Sequence, residues 1–266
     1  MVSFTGHVLP VLATIAVWFF ATGLIAWAAN APRESYGRSL IWAGVVGAGG
    51  MLCVIASARI AGVGGAYLGF AGAMAVWGWH EFAFLTGGVT GPRREPCPEG
   101  AQGIVRFAKA SAAVLHHEIA LAATAVILIA LCWGQPNPIG AQVFVLLFAL
   151  RLVAKLNLFA GVPNASTDIL PRHLAYLTSY FGPNRFTALL ALSIAGTLVL
   201  AGWLGALAAE TSGPGASVAA SLLFAMAALG ALEHLFFALP LRDGALWGWA
   251  IAARDKRAHT NAMRGL

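Results

Sequence analysis

The chain is poor in charge and in cysteine. Asp, Glu, Lys and Arg make up only 10% of its 266 residues while 59% are apolar. Soluble domains carry roughly 25% charged residues, so a water-soluble globule is excluded. The cysteines Cys53, Cys97 and Cys132 are odd in number, widely spaced and without a CxxC pair, which excludes a disulfide framework and a zinc ribbon. The glycine-rich runs GAGGML and GVGGAYLG do not follow a strand, so they lack the setting of a nucleotide-binding loop. Basic residues exceed acidic ones, 16 to 10. On so apolar a chain this excess reads as a membrane orientation signal, and no nucleic acid is expected as a partner.

What the chain has instead is long apolar runs. About 20 such residues at ~1.5 Å each cross the hydrocarbon core, and seven stretches qualify: 7–28, 39–58, 61–86, 107–132, 139–162, 186–208 and 217–240. The expected fold is all-α, a polytopic integral membrane bundle of seven transmembrane helices in one domain over 1–266. Turn and breaker residues separate the stretches, as at Asn30 to Arg33, Gly87 to Pro98, Gly134 to Pro138, Pro163-Asn164, Gly182 to Asn184 and Gly213 to Gly215. The boundary at Arg59 to Gly62 is the weakest. Ala29-Asn30-Ala31 looks like a signal-peptide cleavage site, but the run before it is too long and has no basic flank, so it reads as a retained helix.

If the helices alternate across the bilayer, one side receives Arg33, Arg38, Arg93, Arg94, Arg106, Lys109, Arg172 and Arg185. Arg242, Arg254, Lys256, Arg257 and Arg264 in the tail fall on the same side. The other basic residues are Arg59, on the opposite side, and Arg151 and Lys155, within the fifth stretch. The positive-inside rule then makes the C-terminus cytoplasmic and puts the N-terminus outside. Two further segments look interfacial. Residues 168–181 start with Asp168 as N-cap and Pro171, then run through Leu174, Tyr176, Leu177, Tyr180 and Phe181. Residues 243–253 carry Trp247 and Trp249, within a cytoplasmic interfacial tail over 241–266. The basic, Pro-rich loop Gly91 to Pro98 suits a lipid headgroup or a protein contact. Gly65 and Gly69 form a small-xxx-small step, and Gly44, Gly47, Gly49, Gly50 and Gly72 allow close helix approach.

Ionisable residues inside hydrocarbon are costly, ~2.5–3.5 kcal/mol each on insertion scales, and are functional hypotheses by default. They fall in four groups: His80-Glu81, His116-His117-Glu118, Arg151 with Lys155 and Asn157, and Glu233-His234. Counting along the helices puts all four near one level, in the cytoplasmic half. Imidazole and carboxylate are the ligand types of zinc, iron and manganese, which makes His80, His117, Glu118, Glu233 and His234 candidate metal ligands. A single His can also ligate the metal of a tetrapyrrole, and Trp77, Trp79, Phe82, Phe84, Phe236 and Phe237 surround the groups. HEFAF and HEIAL lack the second His of an HExxH helix, so no metalloprotease motif is present. Three readings are open at this point: a buried network in which Glu81, Glu118 and Glu233 pair with Arg151, Lys155 and the histidines; a metal or tetrapyrrole site; or a proton path.

Several blocks together resemble a known family. Gly65-Ala-Tyr-Leu, WGWHEFAFLTGGVTGPRREPCP (77–98), HHEIALA (116–122), RLVAKLNLFAGVPN (151–164), LPRHLAYLTSYF (170–181) and LEHLFFALPLRDGALWGW (232–249) resemble the PuhE family of photosynthetic complex assembly proteins from purple phototrophic bacteria. The likeness runs from about residue 10 to 250. It implies a multi-pass protein of the bacterial inner membrane, cytoplasmic or intracytoplasmic, with a periplasmic N-terminus. It also implies a role in assembling the reaction centre and core light-harvesting complex, with influence on bacteriochlorophyll production. Expected partners are membrane lipid and the reaction-centre and core antenna proteins or their assembly factors. The family supplies no catalytic residues. Its block carries one His before the Glu, so His117 rather than His116 is the match. The candidate cofactor-binding set is His80, Glu81, His117, Glu118, Glu233, His234, Trp77 and Trp79, with Arg151, Lys155 and Asn157 as a buried polar network.

The leading expectation is therefore an assembly factor with a His/Glu pocket for a tetrapyrrole or a transition metal. A membrane metalloenzyme acting on a tetrapyrrole or lipid intermediate is the alternative, with a glutamate as acid or base. A small transporter is the weaker one, since no internal repeat is visible.

Overall fold

A computed structural model describes residues 2–165, 167, 169–240 and 246–250. Among them there is no strand. Seven long helices carry the fold: α1 (Leu9–Ala29), α2 (Tyr36–Ala58), α3 (Val63–Leu85), α4 (Gly103–Cys132), α5 (Ile139–Ala160), α6 (Ala188–Glu210) and α7 (Pro214–Ala238). They overlap the seven apolar stretches of the sequence, with the largest difference at the start of α4, at 103 rather than 107. Six of them are long and apolar enough to cross a membrane, and α3 is not among these. Gly, Trp, His80 and Glu81 dilute its hydropathy. That composition suits its place: α3 packs against α1, α2, α4, α5 and α7, and a helix enclosed by protein need not present an apolar surface to lipid.

Local chemistry sets the helix ends. Thr187 caps α6, its Oγ1 accepting from Leu190 N at 3.2 Å. Pro214 opens α7 just after Gly213 at φ +97°. The helix ends gather into two groups. At one, Asn137 N donates to Ala58 O and His7 Nε2 bonds Ala208 O. At the other, Asn164 N donates to Phe237 O and Gly182 N to Leu158 O. The second group carries Arg33, Arg93, Arg94, Arg106, Lys109, Arg172 and Arg185 and is here called the basic end; Arg59 stands at the opposite end.

The main core joins α2, α3, α4, α5 and α7 through Val54, Phe70, Leu121, Phe144, Leu222 and Met226. Small residues set its closest contact. A Cβ on Gly50 would come within 2.7 Å of Gly72 O, and one on Gly72 within 2.7 Å of Gly50 O, so α2 and α3 meet backbone to backbone there. Gly47 is packed on Trp79, whereas Gly49, also expected in a helix contact, faces open space.

Two interfacial expectations change. The segment Arg172–Tyr180 is a 3-10 helix, with Leu174, Leu177 and Tyr180 buried. Their spacing of three matches three residues per turn, so all share one face. That face packs on Phe84 and Ala113 of α3 and α4. Trp247 is likewise buried against the bundle, whereas Trp249 is exposed. The former is 3% exposed, 5.1 Å from the Trp18 ring, with its indole N–H donating to Phe19 O at 3.0 Å on α1. Asp168 and most of the expected tail, 241–245 and 251–266, lie outside the described residues.

Candidate functional site

The charged residues of the spans are drawn together in pairs, each pair joining two helices. Arg151 on α5 donates to Glu233 on α7 at 2.6 Å, and Lys155, one turn further on, donates to Glu118 on α4 at 2.5 Å. Glu81 on α3 faces His117 on α4, Oε1 to Nε2 at 3.9 Å. Since residues four apart share a helix face, Arg151 and Lys155 form one cationic strip whose neighbours are acids from both sides. Asn157 turns to α6, donating to Ser193 Oγ at 2.8 Å and to Val153 O at 3.0 Å.

Divergence by ~100° between consecutive residues shows in how α3 meets α4. Glu81 reaches His117, whereas His80 bonds Thr124 Oγ1 at 2.9 Å, two turns further along α4. His80 also lies 6.0 Å from the Phe144 ring and 4.5 Å from that of Trp79. His234 donates from Nδ1 to Gly230 O of its own helix at 2.7 Å, beside Phe237, which packs with Ala154. Phe144 and Ala154 are ten residues apart on α5, about 15 Å of rise. His80 and His234 therefore have separate neighbours on α5. Trp77 stacks edge-on against Phe144 at 5.4 Å. His116 is exposed on the outer side of α4.

Among the described residues, no three His, Cys, Asp or Glu side chains stand close enough together to hold a metal ion. The set His80, His117, Glu118, Glu233 and His234 does not converge: Glu118 and Glu233 are each spent on a cation, and the histidines point to separate partners. What the centre does have is unspent hydrogen-bonding capacity. Glu81 Oε1, both ring nitrogens of His117, Glu118 Oε2, Asn157 Oδ1 and His234 Nε2 are enclosed and make no hydrogen bond among the described residues. Three carboxylates face two permanent cations, so the group becomes neutral when one proton resides on Glu81 or His117.

One local device positions His117. The loop after α3 lies directly on the α4 backbone, with His117 N donating to Thr90 O at 2.9 Å and Arg93 N to Ala112 O at 3.3 Å. A Cβ on Gly91 would come within 2.1 Å of Ala112 O, so only glycine fits. Thr90, Thr124 and Ser193 are not among the residues the sequence points to, and Gly91 enters there only as the start of the Pro-rich loop. Gly91 and Thr90 lie in the GGVTGP run, whose turn chemistry was visible. Thr124 and Ser193 are ordinary small polar residues of apolar helices and carry no local signal.

Helices of this length and hydropathy, crossed by interhelical ion pairs, define a multi-pass membrane protein of the all-helical class. The chain belongs to the family described as protein of unknown function DUF3623, which matches residues 4–258. It is 38% identical over 258 residues to an uncharacterized 30.4 kDa protein in the puhA 5' region of Rhodobacter capsulatus, covering 96% of this chain and 94% of that relative. No solved structure matches it.

Proposed function

We propose that this chain is a seven-span inner-membrane factor for assembly of the photosynthetic reaction centre and its core light-harvesting complex, with a periplasmic N-terminus and a cytoplasmic C-terminus. It acts as a scaffold and not as an enzyme. The observation that carries this reading is the incomplete burial of the intramembrane charges. The side chains of Arg151 and Glu233 are 38% and 28% exposed, and those of Lys155 and Glu118 23% and 20%, on helices built to face lipid. Ions at a lipid-facing flank are costly, and a partner helix with a polar side chain would relieve that cost. The relative in the puhA 5' region and the sequence blocks that resemble the PuhE family support the choice of partner.

Deletion of the gene in a phototrophic host is expected to lower core complex and bacteriochlorophyll. Restoration by the wild-type chain and failure by Arg151→Leu would tie the defect to the ion-pair flank. A deletion strain with normal core complex and pigment overturns the proposal. Orientation is tested by labelling Arg94→Cys and Arg59→Cys in intact cells, where only the second is expected to react.

A second reading, tetrapyrrole binding, rests on His234. Its Nδ1 proton is committed to Gly230 O, leaving the Nε2 lone pair without a partner, the tautomer a metal-ligating imidazole requires. Its test is the absorption spectrum of protein purified from a pigmented host. Pigment lost in His234→Ala supports this reading, and a colourless parent overturns it.

A further inference from the structure

At the basic end the chain leaves α1 at Ala29 and enters α2 at Tyr36, and the start of the Arg172–Tyr180 segment lies over this corner. Between them is a hollow of about 300 Å³. Its walls are apolar at Ala29, Ala31 and Pro171, His173 lines one side, and Arg33 and Arg172 supply its charge. No carboxylate lines it among the described residues.

Other polar groups of the corner are committed. Tyr36 Oη donates to Ala29 O at 2.5 Å, and Asn30 Nδ2 donates to Ala26 O at 2.8 Å, which together hold the bend. His173 is held at the α3 end of the corner: its Nε2 is enclosed 3.4 Å from where a Cβ on Gly87 would stand, and its ring is 6.0 Å from that of Tyr36. Burial, and then the Arg33 cation, hold this imidazole below its ordinary range. Two guanidinium-bearing side chains, Arg33 and Arg172, thus line a single concavity.

We propose that this hollow binds a phosphate group, supplied by an anionic lipid headgroup, with Arg33 and Arg172 as the charged fork. Guanidinium groups match phosphate oxygens bidentately. The depth favours lipid as the source, because the corner lies where two apolar helices end, at headgroup level. Trp27, Ile41 and Trp42 on those helices are exposed and apolar, as acyl chains require. A headgroup bound here would clamp the 172–180 segment, and the α3 and α4 ends beneath it, to the α1–α2 corner.

The test uses the full-length protein in detergent, exchanged extensively and then offered phosphatidylglycerol, phosphatidylcholine or inorganic phosphate. Retained lipid is read by native mass spectrometry and thermal stabilisation by an unfolding scan. Wild type is expected to retain phosphatidylglycerol over phosphatidylcholine. Arg33→Gln with Arg172→Gln should cut that retention roughly tenfold to thirtyfold, as two cations at an anionic surface imply. Arg94→Gln with Arg185→Gln, equally basic and on the same end, should leave it unchanged. Equal loss in both pairs, or no loss in either, overturns the site. Stabilisation by inorganic phosphate without preference for phosphatidylglycerol overturns the lipid source and keeps the phosphate chemistry. If the double Gln variant does not fold, Arg33→Lys with Arg172→Lys decides: severalfold weaker retention supports the fork, and unchanged retention overturns it.

Discussion

The ion-pair centre between α3, α4, α5 and α7 and the strap over the basic end use the same kinds of residue in opposite ways. In the centre, Arg151 and Lys155 spend their charge on Glu233 and Glu118. In the strap, arginines staple neutral groups, though Arg93 also pairs with the exposed Glu95 carboxylate at 3.4 Å. Arg106 donates to Phe159 O at 2.9 Å and Tyr180 O at 2.7 Å, and its guanidinium lies 4.1 Å from the Phe159 ring. Arg93 donates to Tyr180 Oη at 2.6 Å, which donates on to Glu95 O at 2.9 Å. The difference follows from solvent. Where water is scarce a cation needs an anion, and each pair ties together helices far apart in sequence. Near the headgroups a guanidinium needs only acceptors, and the unsatisfied carbonyls at helix and turn ends provide them.

Breaking the centre is expected to have the largest effect. Glu118→Ala leaves Lys155 without its anion, at a cost of about 3–5 kcal/mol for a fully buried pair and less for these partly exposed side chains. A matched Glu118→Leu, Lys155→Met variant should recover most of the lost thermal stability in detergent. If the double variant is no better than the single one, the pair is not what holds α4 to α5.

The joint between centre and strap comes next. Gly91→Ala places a methyl against Ala112 O and should cost about 1–3 kcal/mol as an overpacked contact, with His117 displaced along with the loop. Normal stability in Gly91→Ala would show that the loop does not hold α4. Within the strap, Tyr180→Phe removes the hydroxyl shared by Arg93 and Glu95 O, and about 0.5–1.5 kcal/mol is expected. Its sharper readout is faster proteolysis within 92–101, with the unfolding midpoint of the bundle little changed.

The smallest effect concerns His173, whose charged form is disfavoured by burial and by Arg33, with Tyr36 and Arg172 also beside it. Its folded value lies below the unfolded one, so the unfolded chain binds more protons as pH falls through the ordinary imidazole range. Stability supplied by the neutral ring is present above about pH 6.5 and declines below it. His173→Gln should flatten that decline in unfolding scans between about pH 5 and 7. A decline of equal slope in the variant would assign it to another group.

Much of this was legible in the residues. Apolar runs long enough for a bilayer have one stable solution, because every backbone group must be satisfied within its own segment, so the helices and the breakers between them could be read directly. The charged residues within those runs were equally visible, since each is an exception to the same rule. Direction was not. Depth along an axis is one coordinate, and rotation about it is set by packing. Only the folded chain decides that Glu81 turns to His117 while His80 turns to Thr124, and that Glu118 and Glu233 meet cations and do not converge on a common atom. The period of three in Leu174, Leu177 and Tyr180 was present in the sequence, but whether that stripe would meet lipid or protein depended on the α3 and α4 ends it covers. The sequence by itself determined an all-helical bundle with costly charges inside. The tertiary structure alone chose their partners, because an ion pair across helices is a property of two surfaces brought together and is written in neither helix.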